Sequence, residues 1–215
     1  MLALAWVSIA WGTTWLASKE GVKHIRQFLG GALYVGFFLV KKTTWPKGKQ
    51  WKSILILSML NFALSNGLST WGVKFIPSGL GAIIGAMVPI WIAMISFFNG
   101  ERITRLAVFG ITIAFAGVCV IFYEHLADFI RPDFQFGIVL SVAATITWAF
   151  GTLYTKKKAA SFNPYFSLGL QMLISSVCLF AFTGATGTNI PLTQIPAASW
   201  WAIAYLVGVG SVLTF

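Results

Sequence analysis

The chain has 215 residues, of which 58% are hydrophobic and only 9% charged, and its formal net charge is +10. A soluble domain carries roughly 25% charged residues, so this composition excludes an ordinary water-soluble globule and makes lipid the solvent for most of the chain. The basic residues fall in short clusters between apolar runs, which fits orientation in a bilayer and argues against a nucleic-acid surface.

Uncharged apolar runs recur along the whole length, and a helix of ~20 residues is what a hydrocarbon layer of ~30 Å requires. Backbone groups in lipid must be paired within the segment, which leaves helices or a closed barrel. Continuous apolar runs in place of ten-residue alternation reject the barrel. The first run, Leu2 to Ser18, lacks a basic leader and continues into Trp11, Trp15 and Lys19, so it reads as a retained helix and not as a cleaved signal. Further spans follow at about Ile25 to Val40, Ile54 to Val73, Gly79 to Phe98, Leu106 to Tyr123, Phe134 to Thr155, Tyr165 to Thr183 and Trp200 to Phe215. Turn-forming pieces separate them, among them Pro46-Lys47-Gly48, Pro77-Ser78-Gly79, Asn99-Gly100 and Asn163-Pro164. The predicted fold class is an all-α membrane bundle with about eight transmembrane helices. Cys119 and Cys178 each lie in the middle of an apolar run and read as small buried hydrophobes.

Basic residues set the orientation. Lys41, Lys42, Lys47, Lys49, Lys52, Arg102, Arg105 and Lys156 to Lys158 fall on one side, opposed by Glu101 alone. Lys19, Lys23, Arg26, Lys74 and Arg131 fall on the other, nearly balanced by Glu20, Glu124, Asp128 and Asp133. The first side is therefore predicted to be cytoplasmic, with the N-terminus inside.

The run Ser8-Ile9-Ala10-Trp11 to Lys19 aligns with Thr145-Ile146-Thr147-Trp148 to Lys156, matching Ile, Trp, Leu and Lys. The sixth helix thus reads as a repeat of the first. Five helices separate the two starts, so the second unit enters from the opposite face, an inverted-topology repeat of the kind that builds many secondary transporters. The repeats are expected at residues 1–123 and 134–215. Trp11 to Gln27 spans 16 positions against 23 from Trp148 to Gln171, so the second span reads about seven residues short near Val22 to Ile25. A complete second repeat would add two helices beyond Phe215, and the chain is expected to be a fragment of a ten-helix protein.

Trp11-Gly12-Thr13-Thr14-Trp15, Arg26-Gln27-Phe28, and the block Gly79-Leu80-Gly81-Ala82-Ile83-Ile84-Gly85-Ala86-Met87-Val88-Pro89-Ile90-Trp91 running on to Gly100-Glu101-Arg102-Ile103 resemble the EamA-like family of the drug/metabolite transporter superfamily. The resemblance covers essentially the whole chain. It implies an inner-membrane carrier of ten helices in two five-helix repeats, moving amino acids and other small metabolites. The chain departs from the family pattern in its short first loop, in the lack of a ninth and tenth helix, and in the weaker Trp148-Ala149-Phe150-Gly151 counterpart of the first motif.

A carrier needs polar groups near the bilayer midplane, so polar residues on one face of an apolar helix are the signal to seek. Ser58, Asn61, Ser65, Ser69 and Gly72 form such a stripe on the third span. Asn61 and Ser65 are candidate substrate contacts, with interhelical hydrogen bonding as the alternative. Trp11 and Thr14 could stack on and orient an amphipathic solute, and Trp148 echoes Trp11. Gln27 and Gln171, matched in the repeat and read as lying in the outer third of their helices, need partners that a solute or water could supply. Arg26 could pair with a substrate carboxylate or simply snorkel to water. Gly81 and Gly85 on the fourth span, like Gly110, Ala114 and Gly117 on the fifth, are predicted packing positions, and Pro89 is a candidate hinge. His24 and His125 have no metal-ligating neighbours, so no metal or cofactor is expected.

The leading function is secondary transport of a small organic metabolite. No P-loop is present, so any driving force would come from a gradient. The acids lie in loops or at helix ends, which disfavours a membrane-embedded enzyme. A non-transporting scaffold or receptor is the other alternative. The expected partners are a small-molecule substrate and the lipid bilayer, with the protein a monomer or homo-oligomer and no nucleic acid bound.

Overall fold

A computed structural model describes residues 23–41, 45–124, 128–158, 163–185 and 200–201. All regular structure among them is helical. Helix α1 is Lys23–Val40. Helix α2 (Lys49–Leu57), a π-helical segment (Ser58–Leu64) and α3 (Ser65–Gly72) form one stretch. Helices α4 (Ser78–Gly85) and α5 (Val88–Phe98) form a second, followed by α6 (Arg105–Glu124), α7 (Pro132–Lys158) and α8 (Pro164–Ala185). Among the described residues, Lys49–Gly72, Ser78–Phe98, Pro132–Lys157 and Pro164–Ala185 are long and apolar enough to cross a membrane, and Phe28–Val40 and Arg105–Val120 are shorter apolar helices. The expected first span lies outside the described residues, as does all but the start of the last.

The boundaries have local causes. The third span begins at Lys49 and not at Ile54, because Gly48 turns the chain with φ 44° and the basic and aromatic side chains of Lys49, Trp51 and Lys52 extend the helix to the membrane edge. Helix α8 starts where Asn163 Oδ1 accepts the backbone N–H groups of Tyr165 and Phe166, each at 3.1 Å, with Pro164 as the first helical residue. Helix α5 ends at Asn99-Gly100, where Gly100 adopts φ 82°.

Helix α7 organises one half of the bundle. Against Lys49–Gly72 it runs antiparallel: Gly72 meets Gly137 and Ser141 at one end, Phe62 meets Trp148 in the middle, and Ser53 Oγ lies 3.4 Å from Tyr154 Oη at the other. Against α4 and α5 it runs parallel. Leu80 and Ile84 pack with Phe134, the Trp91 indole N–H donates to Thr145 Oγ1 at 3.0 Å, and Lys156 Nζ reaches Glu101 at 3.3 Å.

Helix α8 organises the other half. It runs parallel to Lys49–Gly72, with Ile54 beside Phe166, the Ser58 hydroxyl donating to the Gln171 carbonyl at 2.9 Å, and Gly67 against Leu179. It runs antiparallel to α1, with Phe38 against Phe166, Gly31 against Gly169 and Leu173, and Phe28 against Phe180.

Two close backbone approaches use glycines on different helices. A Cβ on Gly31 would lie 2.9 Å from the Gly169 carbonyl oxygen, and one on Gly72 would lie 2.8 Å from the Gly137 carbonyl oxygen. In lipid, where the tails are as apolar as leucine, such close packing is the main attraction between helices.

Two expectations are corrected. Gly110 and Gly117, read as packing positions, are exposed, a Cβ on either would meet nothing within 4 Å beyond its own helix among the described residues, and α6 exposes most of its length. Cys119 and Cys178, read as buried, are both exposed on the protein exterior. In a bilayer the hydrocarbon, and not the protein, then supplies their apolar surroundings.

Candidate functional site

Among the described residues, two interruptions of helical geometry in the long spans fall near the middles of those spans. Asn61 is the thirteenth residue of the 24-residue stretch Lys49–Gly72 and sits at the centre of its π-helical segment. Such widened turns recur at functional sites because they re-aim side chains and loosen the backbone ladder. Here the Asn66 side-chain amide donates to the Asn61 carbonyl at 3.2 Å, and the Thr70 hydroxyl donates to the Asn66 carbonyl at 2.6 Å, so polar side chains brace the widened turn.

The other interruption separates α4 from α5 at Ala86 and Met87. Pro89, second in α5, has no N–H, so the Gly85 carbonyl lacks its ordinary ladder donor. The turn tightens in response. The Met87 N–H donates to the Ile84 carbonyl at 3.0 Å and the Ile90 N–H to the Met87 carbonyl at 2.9 Å, both three residues back. Gly81 is buried within α4 and Gly85 closes it, while Pro89 is exposed.

Around the first interruption, α7 presents Thr145, Trp148 and Gly151 at steps of three. A Cβ at Gly151 would coincide with Asn61 Oδ1, so only glycine leaves room for the Asn61 side chain. That oxygen is buried and has no hydrogen-bond partner. The Phe62 and Trp148 rings meet edge to face with centroids 6.3 Å apart. The Thr145 hydroxyl accepts from the Trp91 indole and donates to the Val142 carbonyl at 2.7 Å, which orients the indole.

Helix α7 thus touches both interrupted stretches, Asn61 and Phe62 of one at Gly151 and Trp148, and Trp91 of the other at Thr145. Among the described residues no acidic or basic side chain lies in the middle of any span, and no group of three His, Cys, Asp or Glu could hold a metal ion. Neutral hydrogen bonds and aromatic surfaces are therefore the chemistry this part of the site offers.

The other candidates are placed as follows. Ser65 is buried in the first turn of α3. Gln171 is 6% exposed, and its amide donates to Ser167 Oγ at 2.9 Å within α8. Because α1 and α8 are antiparallel, Gln171 and Gln27 lie toward opposite ends of the bundle, which corrects the expectation that both occupy the outer third. Arg26 and Gln27 fall at the start of α1, and their side chains lie outside the described residues, as do Trp11 and Thr14 altogether.

Sequence reasoning missed Gly151, Phe62 and the Trp91–Thr145 pair. The polar and small residues Ser141, Thr145, Trp148 and Gly151 follow helical spacing along an apolar span, a signal equal to that of the third-span stripe.

These features define a polytopic α-helical membrane protein whose described spans meet around neutral polar and aromatic groups. The chain belongs to the EamA-like transporter family, whose family model matches residues 1–123 and 135–215. It is 31% identical over 187 residues to the uncharacterized transporter YvbV of Bacillus subtilis (strain 168), an alignment covering 83% of this chain and 60% of that protein. It is 24% identical over 210 residues to the uncharacterized transporter YoaV of the same organism, covering 93% of this chain and 70% of the relative. Against the uncharacterized inner membrane transporter YedA of Escherichia coli (strain K12) the identity is 25% over 221 residues, covering 98% and 70%. The chain thus spans about 60 to 70% of the length of these relatives.

Proposed function

We propose that this chain takes part in secondary transport of a small, neutral or zwitterionic organic metabolite, with amino acids as one candidate class, across the inner membrane by alternating access. The observation that carries the reading is Asn61: a buried amide oxygen without a partner, at the centre of a π-helical segment midway through a membrane span. An unpaired polar atom at that depth costs several kcal/mol in hydrocarbon, roughly. A solute or water reaching it during the transport cycle would offset that cost.

Two inverted five-helix repeats, with the N-terminus cytoplasmic, suit this reading. The family model matches two successive stretches of the chain. The second and seventh spans, counterparts in such a repeat, pack antiparallel as α1 and α8. Mid-span breaks in two helical stretches that both pack against α7 are the kind of irregular backbone that carriers place where a solute binds. The site includes Asn61, Trp148 and Ser65, with Trp11, Thr14, Arg26, Gln27 and Gln171 as further substrate contacts.

The test is uptake of a panel of radiolabelled amino acids, nucleobases and amphipathic metabolites by liposomes containing the purified protein. Saturable, protein-dependent uptake of one class, lost in a folded Asn61→Ala variant, is the expected result. Absence of flux for every solute with a folded protein would favour a scaffold or receptor.

A further inference from the structure

The packing registers bring basic segments that are far apart in sequence to one end of the bundle. Lys47, Lys49 and Lys52 surround the start of α2, and all are exposed. Arg102 and Arg105 lie at the start of α6, and Lys156 and Lys157 in the last turn of α7, again exposed. Two contacts hold these segments side by side: Ser53 Oγ with Tyr154 Oη at 3.4 Å, and Lys156 Nζ with Glu101 at 3.3 Å. Glu101 is the one acid at this end among the described residues. At the opposite end the described basic residues Lys23, Arg26, Lys74 and Arg131 are nearly balanced by Glu124, Asp128 and Asp133.

Three of these charges run against the helices that carry them, whereas Lys156 and Lys157 sit in the last turn of α7, where the dipole favours cations. Lys49, Lys52 and Arg105 occupy the first turns of α2 and α6, and neither first turn contains an acid. The helix dipole is positive there and repels cations. Glu101 is engaged by Lys156, so the described protein supplies no anion to offset the rest. Anionic headgroups of the bilayer are a source of compensating charge for such exposed cations. Trp45 and Tyr165, both about half exposed, lie at the same end, where aromatic rings mark the headgroup level of a bilayer.

We propose that this end is a binding surface for the phosphate groups of anionic phospholipids, such as phosphatidylglycerol, in the leaflet it faces. Clustered Lys and Arg beside a membrane span attract anionic headgroups, and basic recesses between helix ends hold them. The surface is separate from the mid-span site and does not depend on transport.

The experiment is thermal unfolding of the purified chain in a neutral detergent, titrated with phosphatidylglycerol, phosphatidylcholine or soluble glycerol 3-phosphate. Phosphatidylglycerol raises the midpoint, phosphatidylcholine and glycerol 3-phosphate do not, and high salt removes the increase. Lys49→Gln/Lys52→Gln and, separately, Arg102→Gln/Lys157→Gln each cut the increase by about half, while Lys74→Gln/Arg131→Gln leaves it intact. Equal shifts with both lipids, full shifts in both basic-end variants, or an equal loss in the control pair would overturn the proposal. A shift produced equally by glycerol 3-phosphate would assign the surface to a soluble phosphate instead and also overturn it. Should one variant fail to fold, the other pair and the salt dependence of the unmodified protein decide.

Discussion

Asn61 Oδ1 lies against Gly151 across the boundary between the π-helical segment and α7, in a space that no side chain at position 151 could share. The two residues are 90 positions apart, and neither is an obvious partner of the other in sequence. Gly151→Ala must expel the Asn61 amide or part the helices. Overpacking of this kind costs about 1 to 3 kcal/mol. Thermal unfolding in detergent is expected to show that loss for Gly151→Ala, while Gly110→Ala, facing open space on α6, leaves the midpoint unchanged or slightly raised.

A second contrast lies at the Gly72 contact. A methyl group there would lie 2.5 Å from Ser141 Oγ and 2.8 Å from the Gly137 carbonyl oxygen. A hydroxyl could turn away, but a backbone carbonyl cannot. Gly72→Ala is therefore expected to destabilise by about 1 to 3 kcal/mol, and combining it with Ser141→Ala should recover only part of the loss. Ser141→Ala alone removes a buried hydroxyl that has no hydrogen-bond partner, so it should not lower the midpoint.

Pro89 governs the break between α4 and α5. Pro89→Ala restores an N–H that can reach the Gly85 carbonyl, and the two helices are expected to join. Hydrogen exchange should then show stronger protection of the Ala86 and Met87 amides and a protected new amide at position 89. If the break serves transport, the same variant lowers turnover while leaving solute binding little changed. Unaltered exchange would mean that packing, and not the proline, imposes the break.

Orientation can be read chemically. In a background lacking Cys119 and Cys178, Lys157→Cys should react with an impermeant maleimide only from the cytoplasmic face and Arg131→Cys only from the other. The parallel packing of α4 and α5 with α7 fixes the relative directions, so the reverse pattern would invert the whole topology.

The fold was legible where physics acts on single segments. Apolar length located the four described helices long enough to cross a membrane and the two shorter apolar ones, and Asn163-Pro164 and Asn99-Gly100 marked helix ends by their local chemistry. What depends on pairs of segments was not. Ser58 to Gly72 reads as one stripe at ordinary helical spacing, but the π-helical segment divides it. Ser58 turns to the Gln171 carbonyl on α8, while Asn61 and Gly72 face α7. No periodicity announces a widened turn. Likewise a search for small residues within one helix finds Gly81 and Gly85, whereas Gly31 with Gly169 and Gly72 with Gly137 become a pattern only once the helices are side by side.

The most direct test of the account is the accessibility of Asn61→Cys in the same cysteine-free background, probed with an impermeant thiol reagent added to either face of a sealed vesicle. Alternating access predicts reaction from both faces, and slower reaction when a transported solute is present. A thiol at position 61 that reacts from neither face would contradict the central claim and reduce the π-helical segment to a packing feature.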